Sequence, residues 1–431
     1  MSKKISLFEA VSLAVGTMIG AGIFSILGVG AQICRSNLPI AFFISALVSI
    51  LVGYSYAKLG SKYVSNAGPI EFILRGIGDN SITGALSILM WFSYVISISL
   101  FAKAFAGYFL ALFNIPINGF NISLIEFFII LLFTVLNFFG SKAVGKAEFF
   151  IVFIKVSILL IFVFTGIWFI KINYITPDLS ETGLINTFYA SSILFLTYMG
   201  FGLITNASEN MENPKKNVPL AIYLSILVVS FIYISVSIVA LGNLGVDKLI
   251  EAKEYALAEA TKSFLGDFGF ILVSVGALFS TSSAINSTMY GGANISYALA
   301  KKGELPEIFE RKVWFDATEG LYITSVLSLL FALFFNLDGI ANLISTVFLI
   351  IYIFVIISHL ILLSEVGGNR IFITFSLITI IVIFLILMKY QFSTNTKSFY
   401  TSLSVIIGSF IFETVYRRIS KRSIKRRNYF E

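Results

Sequence analysis

The chain has 431 residues, of which 58% are hydrophobic, 16% aromatic and only 12% charged, with a mean hydropathy of +0.94. Soluble domains carry about one quarter charged residues, so this composition leaves too little polar surface for a soluble fold. It also excludes a transmembrane β-barrel, whose lumen side keeps alternate residues polar. One cysteine, Cys34, and one histidine, His359, exclude a disulfide framework and a Cys/His metal site. The net charge of +7 raises nucleic acid as a partner until the charges are placed along the chain.

A bilayer core about 30 Å thick needs ~20 apolar residues per helix. In chain order such runs fall at roughly 9–34, 38–60, 81–113, 121–140, 147–170, 185–207, 217–242, 264–300, 320–336, 339–363, 370–389 and 398–416. They make an all-α integral membrane protein of twelve spans, a single membrane domain over 1–431. No cleavable signal peptide is expected, because the first apolar run follows Lys3 and Lys4 without a small-residue cleavage site. The longest loop, about 243–263, is expected to hold one short amphipathic helix around Glu251 to Thr261.

An even number of spans puts both termini on one side. Of the 30 Lys and Arg, 21 fall on that side, seven on the other, and two, Lys103 and Lys155, inside spans. The positive-inside rule then makes both termini cytoplasmic, in a cell (plasma) membrane. The basic tail, 417–431, reads as an anchor to anionic lipid. Nucleic-acid binding drops out.

Span 1 carries Gly16 and then Gly20-Ala21-Gly22, while span 6 carries Gly200-Phe201-Gly202. Two glycines within three residues invite unwinding, since each costs a helix interior roughly 1 kcal/mol against alanine. Close packing through small residues accounts for one such element. Two, at matching places five spans apart, favour discontinuous helices. Five is odd, so the second runs in the opposite sense to the first. That predicts an inverted repeat of spans 1–5 (9–170) and 6–10 (185–363), with spans 11 and 12 (370–416) appended. A broken helix at membrane depth must line a cavity or a site. The amide end of the second half of span 1, near Gly22, suits a carboxylate. The carbonyl end of the first half of span 6, near Met199, suits an ammonium. Together they match the head of an α-amino acid.

Gly20-Ala21-Gly22-Ile23-Phe24 resembles the Gly-x-Gly-Ile-Phe element of the amino acid–polyamine–organocation permeases. Tyr198-Met199-Gly200-Phe201-Gly202, followed by Glu212-Asn213-Pro214-Lys215-Lys216-Asn217-Val218-Pro219, resembles that family's span 6 and its exit. Ser65-Asn66-Ala67-Gly68-Pro69, Asn137-Phe138-Phe139-Gly140-Ser141-Lys142 and Trp314-Phe315 to Tyr322 extend the likeness along the whole chain, toward archaeal proton-coupled members. The resemblance implies a LeuT-type fold with substrate between spans 1, 3, 6 and 8. It assigns Ile19, Gly20, Ala21, Gly22 and Ile23 to the substrate carboxylate, and Leu196, Thr197, Tyr198 and Met199 to its ammonium and side chain. Gly202 stands where many relatives carry an acid, so that acid's role does not transfer.

Lys155 lies about nine residues into span 5, roughly 13 Å at 1.5 Å per residue. An intramembrane ionisable group is a functional candidate by default, and Phe153, Ile154 and Val156 offer it no partner. The resemblance implies that this lysine occupies the place where sodium-coupled relatives hold their cation. Its expected neighbours are then the Gly16 carbonyl and the Ser280 and Ser283 hydroxyls, and burial would disfavour its charged form. It is the expected proton carrier. Lys103 is expected to snorkel to the outer interface, and His359 to be a hydrogen-bonded packing residue rather than a relay. Glu9, Glu126, Glu148, Glu365 and Glu413 are expected to be solvated at span ends.

The expected function is secondary active transport: proton-coupled, sodium-independent uptake of mainly neutral amino acids by alternating access. The chain needs no cofactor beyond the proton gradient, and its partners are the amino acid, protons and the bilayer. An amino-acid exchanger is the alternative, and a non-transporting sensor a weaker one. No Gly-x-Ser-x-Gly elbow, catalytic Asp pair or metal set supports an enzyme.

Overall fold

The computed structural model describes residues 4–65, 68–138, 144–301, 303, 305–313 and 318–420, with no side-chain description for Ala21, 144–149 and Ser420. Asn66, Ala67, 139–142, Trp314, Phe315 and the tail from 421 onward therefore lie outside the described residues, as does the side chain of Glu148.

Span 1 consists of α1 (Leu7–Ala21) and α2 (Ile23–Cys34), and span 2 is α3 (Leu38–Lys62). The short α4 (Pro69–Ile77) precedes spans 3 to 5, which are α5 (Ser81–Leu112), α6 (Gly119–Phe138) and α7 (Val144–Gly166). Span 6 joins α8 (Glu181–Leu194), a 3₁₀ stretch (Phe195–Gly202) and α9 (Leu203–Asn206). Span 7 is α10 (Pro214–Leu244); α11 (Val246–Ala252) leads into α12 (Ala256–Lys301), which contains span 8. Spans 9 and 10 are α13 (Glu319–Phe334) and α14 (Leu337–Ile361), and α15 (Leu363–Val366) leads to α16 (Arg370–Thr394) and α17 (Thr396–Ser420), spans 11 and 12.

Among the described residues ten helical segments are long and apolar enough to cross a membrane, one of them running through both α2 and α3. Two shorter apolar helices, Leu7–Gly20 and Glu319–Phe334, complete spans 1 and 9. Side-chain caps start several spans. Ser6 and Glu9 form a reciprocal box at α1, while Asn80, Ser180, Asn336 and Asn369 cap α5, α8, α14 and α16. Within the spans, hydroxyls such as Ser49, Ser99, Thr281 and Thr346 bond the carbonyl one turn back. No polar hydrogen is thereby offered to lipid at those sites.

Spans 1 and 6 are both discontinuous. α1 ends at Ala21, Gly22 has φ −103° and ψ −86°, and α2 begins at Ile23. Span 6 tightens to 3₁₀ for the eight residues from Phe195 to Gly202. Around these breaks pack spans 2, 3, 7, 8 and 10. Ile5 pairs with Met211 by backbone bonds to Asn210 and Glu212, so the N-terminus and the exit of span 6 share one face of the bundle, called here the terminal face.

The loop after span 7 departs from the single helix expected around 251–261. It forms α11, reverses at Lys253 (φ 38°), continues as the opening turns of α12 to residue 265 and bends at Gly266 (φ 60°) before span 8. Leu249, Ala252, Ala256, Leu257, Ala258 and Ala260 are buried. The segment covers α2 and α5 on the far face rather than floating on solvent. Its apolar residues do not follow one helical stripe because the chain turns between two short helices.

Candidate functional site

A cavity of about 340 Å³ lies among spans 1, 2, 3, 6, 8 and 10. That is the small end of the ~300–1,000 Å³ range of ligand sites. Its polar lining comes from Thr17, Ser93, Tyr94, Ser97, Asn206, Ser287 and Thr288, and its apolar walls include Met90, Phe101, Leu196, Met199, Ile344 and Phe348. No lining residue is charged. Leu13 and Thr17 of span 1, and Leu203, Asn206 and Ala207 of span 6, belong to the halves on the terminal side of the two breaks, while Leu196, Met199, Gly200 and Gly202 lie in the break of span 6 itself.

Of the nine residues that the sequence assigns to substrate, Leu196 and Met199 line this cavity. Ile19, Ile23, Thr197 and Tyr198 are buried and do not line it, Gly20 and Ala21 close α1, and Gly22 forms the break of span 1. Tyr233 of span 7 reaches into that break. Its hydroxyl donates to the Met18 carbonyl at 2.6 Å and lies 3.3 Å from the Thr197 carbonyl. One phenol thus ties the end of α1 to the middle of span 6. The Gly22 amide bonds Met18. A Cβ on Gly22 would stand 2.4 Å from the Tyr233 oxygen and 2.7 Å from Thr197 Cβ, so only glycine fits.

Lys155 is 1% exposed and its ammonium donates to the Gly16 carbonyl. Gly16 admits this approach because a Cβ there would meet Val152 Cγ2 at 2.2 Å. A Cβ on Gly20 would lie 3.3 Å from Lys155 Nζ and 3.6 Å from the Ser280 carbonyl. Ser283 is buried nearby on the same helix as Ser280, whose hydroxyl is buried without a hydrogen bond. Spans 1, 5 and 8 therefore meet around one ammonium.

The remaining charges need corrections. Lys103 does not snorkel: it is 9% exposed and pairs with the fully buried Glu126 at 2.7 Å. Glu126 and Glu413 are buried rather than solvated; Glu413 accepts from Arg417 at 3.0 Å. Sequence spacing could not find the Lys103–Glu126 pair, since it joins two spans. His359 is a packing residue as expected, between the Ser55 hydroxyl and the Gly367 carbonyl, each at 3.0 Å. Sequence reading also missed the hydroxyl-rich stretch Ser93, Tyr94, Ser97 of span 3. Its signal was a Ser at every second or fourth position of an apolar helix.

On the terminal face the cavity ends at Pro69, Asn206 and Ala207. Ser65 and Ser208 exchange hydrogen bonds there, and Gly68 (φ 57°) packs on the Asn206 amide. Tyr63, just past span 2, donates to Glu365 at 2.8 Å beneath the Arg75 guanidinium; burial pushes its phenol up to about 12.

Two broken helices facing a central cavity, within a bundle of apolar spans, define a membrane carrier of the LeuT type. A manganese transporter from Eremococcus coleocola has the same fold, with a TM-score of 0.60 over 96% of both chains at 14% identity. The chain belongs to the Amino acid permease family, whose match covers residues 5–412, and it is a multi-pass transporter of amino acids, not an enzyme. It is 60% identical to an uncharacterised protein of Methanocaldococcus jannaschii, over 99% of this chain and 98% of that one. It is 30% identical to the inner membrane transport protein YbaT of Escherichia coli, over 98% and 97%.

Proposed function

We propose that this permease takes up mainly neutral L-amino acids with protons and without sodium, its terminal face being the cytoplasmic side of the cell membrane. The observation that carries the reading is Lys155, a buried ammonium on the Gly16 carbonyl between spans 1, 5 and 8. A fixed cation there takes the place of a bound metal ion. Loss of its proton removes the charge from the carbonyl, with the Ser280 and Ser283 hydroxyls beside it, and lets span 1 shift against spans 5 and 8. The uncharged cavity lining supports a neutral side chain, because burying an unpaired charge is costly. The cavity on the terminal side of both breaks is the inward-open end of the cycle. The amino-acid head binds at the backbone of Ile19 to Ile23 and of Leu196 to Met199, with Tyr233 released from the break. The basic tail 417–431 anchors the chain to anionic lipid.

Radiolabelled uptake into proteoliposomes, with pH and sodium gradients set independently, tests this. Uphill uptake is expected on a proton gradient alone, and Lys155→Ala is expected to lose it while remaining folded. A sodium requirement in the wild type, or uphill pH-driven uptake in Lys155→Ala, refutes the coupling.

A further inference from the structure

On the outside of the bundle, spans 3 and 12 leave a groove of about 430 Å³ that plays no part in the mechanism above. Trp91 and Phe92 of α5 form one wall, Gly408 and Phe412 of α17 the other, and Ile308 and Phe309, just past the end of α12, complete it. No described residue that lines it is charged. It opens sideways, since Phe412 is 45% exposed and Ile308 41%.

The start of α5 and the end of α17 share the terminal face, where Arg417 bonds the Asp79 carboxylate at 2.5 Å and the Asn80 carbonyl at 3.3 Å. Gly408 stands twelve residues before Ser420, about 18 Å from that end and in the middle of α17. Phe412 lies ~12 Å from the same end, and Trp91 ~15 Å past the start of α5. The groove therefore occupies the terminal half of a hydrocarbon core about 30 Å thick. Gly408 is a second mark of its use. Gly53, Gly60 and Gly276 of other spans are held by packing, their Cβ positions meeting Ile226, Thr205 and Ile158 at 3.1, 2.9 and 2.5 Å. At Gly408 a Cβ would meet nothing within 4 Å. A mid-helix glycine costs stability, and here no neighbouring helix uses the space it leaves. Across the groove the Trp91 ring is fixed. Its Nε1 donates to Thr324 of span 9 at 3.0 Å, and the ring meets Phe309 edge-on at 4.9 Å.

We propose that this groove binds one hydrocarbon chain of a bilayer lipid from the terminal leaflet, laid along α17 at Gly408 between Trp91 and Phe412. The surroundings at this depth are hydrocarbon and hold no water, and an uncharged apolar lining accepts a chain where a headgroup would be left unpaired. The chain restores the dispersion contacts that a void denies to Trp91 and Phe92. It also braces span 3 from behind, because Met90, Ser93 and Tyr94 on the other side of the same helix line the substrate cavity. The site rests on the membrane placement of the family and does not depend on Lys155.

The test is bromine quenching of Trp91 fluorescence in the full-length chain carrying Trp168→Phe and Trp314→Phe. The protein is reconstituted in vesicles of phosphatidylcholine brominated at the middle of its chains. Trp91 is expected to be quenched. Gly408→Leu fills the groove in a helix that favours leucine over glycine, and should remove most of the quenching. Ile407→Leu, exposed on α17 but outside the groove, should leave it unchanged. Adding unbrominated phosphatidylcholine to the detergent-purified protein should raise the thermal midpoint of the parent and not of Gly408→Leu, since a ligand of the folded state stabilises it. Lys155→Ala should keep both responses while losing proton-driven uptake, so the two readings fail separately. Equal quenching in the parent and in Gly408→Leu overturns the proposal. An unquenched Trp91 in the parent also overturns it, and a dimer trapped by cross-linking in those vesicles would then make a second copy of the chain the occupant.

Discussion

The hydroxyl of Tyr233 donates to the carbonyl of Met18 at 2.6 Å, and so joins span 7 to the last turn before the break in span 1. The same oxygen lies 3.3 Å from the Thr197 carbonyl in the middle of span 6. A helix interruption in a membrane leaves donors and acceptors that water cannot satisfy. Here a single phenol ties the end of α1 to the 3₁₀ stretch of span 6.

Tyr233→Phe keeps the ring, which also packs on Phe42 and Tyr198, and removes only that oxygen. The Met18 carbonyl is then left with the Gly22 amide alone, and the lost hydrogen bond costs about 0.5–1.5 kcal/mol. A lower thermal midpoint of the purified protein in detergent is expected. An unchanged midpoint removes the tyrosine from the support of the break.

Gly22→Ala attacks the same contact from the backbone. Its Cβ would meet the Tyr233 oxygen at 2.4 Å and Thr197 Cβ at 2.7 Å. Overpacking of this kind costs about 1–3 kcal/mol, and amino-acid binding measured by calorimetry should fall with it. Combining it with Tyr233→Phe relieves the first clash and not the second. The double variant is therefore expected to lose less than the sum of the singles, a coupling that a thermodynamic cycle reads directly.

The broken spans were legible in the sequence because Gly20-x-Gly22 and Gly200-x-Gly202 recur 180 residues apart in helices of opposite sense. The twelve apolar runs were legible for the same local reason. The partners of the charges were not. Lys103 among Phe101, Ala102 and Ala104 carries no mark of Glu126, which faces it from another span. Nor does Tyr233, in a helix of Val, Ile and Ser, announce that it fills a break two hundred residues earlier. The cavity also takes in Gly200 and Gly202 of span 6 but neither Gly20 nor Gly22 of span 1, since sequence marks where a helix can break and not which side of the break has opened.

His359 provides a negative control for coupling. Its Nε2 faces the Gly367 carbonyl, which can only accept, so that nitrogen carries the proton and Nδ1 accepts from the Ser55 hydroxyl. Both ring nitrogens are thus used to tie span 10 to span 2 and to the turn before span 11. His359→Ala is expected to lower the thermal midpoint by removing these bonds and leaving a cavity. The pH profile of uptake should keep its midpoint. A displaced midpoint would make the histidine part of the proton path.

Selectivity follows from the cavity. Its wall supplies hydroxyls from Thr17, Ser93, Ser97, Ser287 and Thr288, an amide from Asn206, and apolar surface from Met90, Phe101, Leu196, Met199 and Ile344, but no carboxylate and no ammonium. A hydroxyl can bond the guanidinium of arginine without neutralising it, and an unpaired charge in such a place costs several kcal/mol. Even about 1.4 kcal/mol of that penalty weakens competition tenfold. Leucine, alanine and serine are therefore expected to displace a labelled neutral substrate at least ~10-fold better than arginine, lysine, aspartate or glutamate. The same reasoning predicts a gain. Ser97 lines the cavity, and its hydroxyl bonds only back to the Ser93 carbonyl of its own helix. Ser97→Asp places a carboxylate on that wall, so arginine and lysine should improve as competitors while neutral amino acids weaken. Arginine ranking first in the wild type, or Ser97→Asp leaving the rank order untouched, places the substrate side chain somewhere other than this cavity.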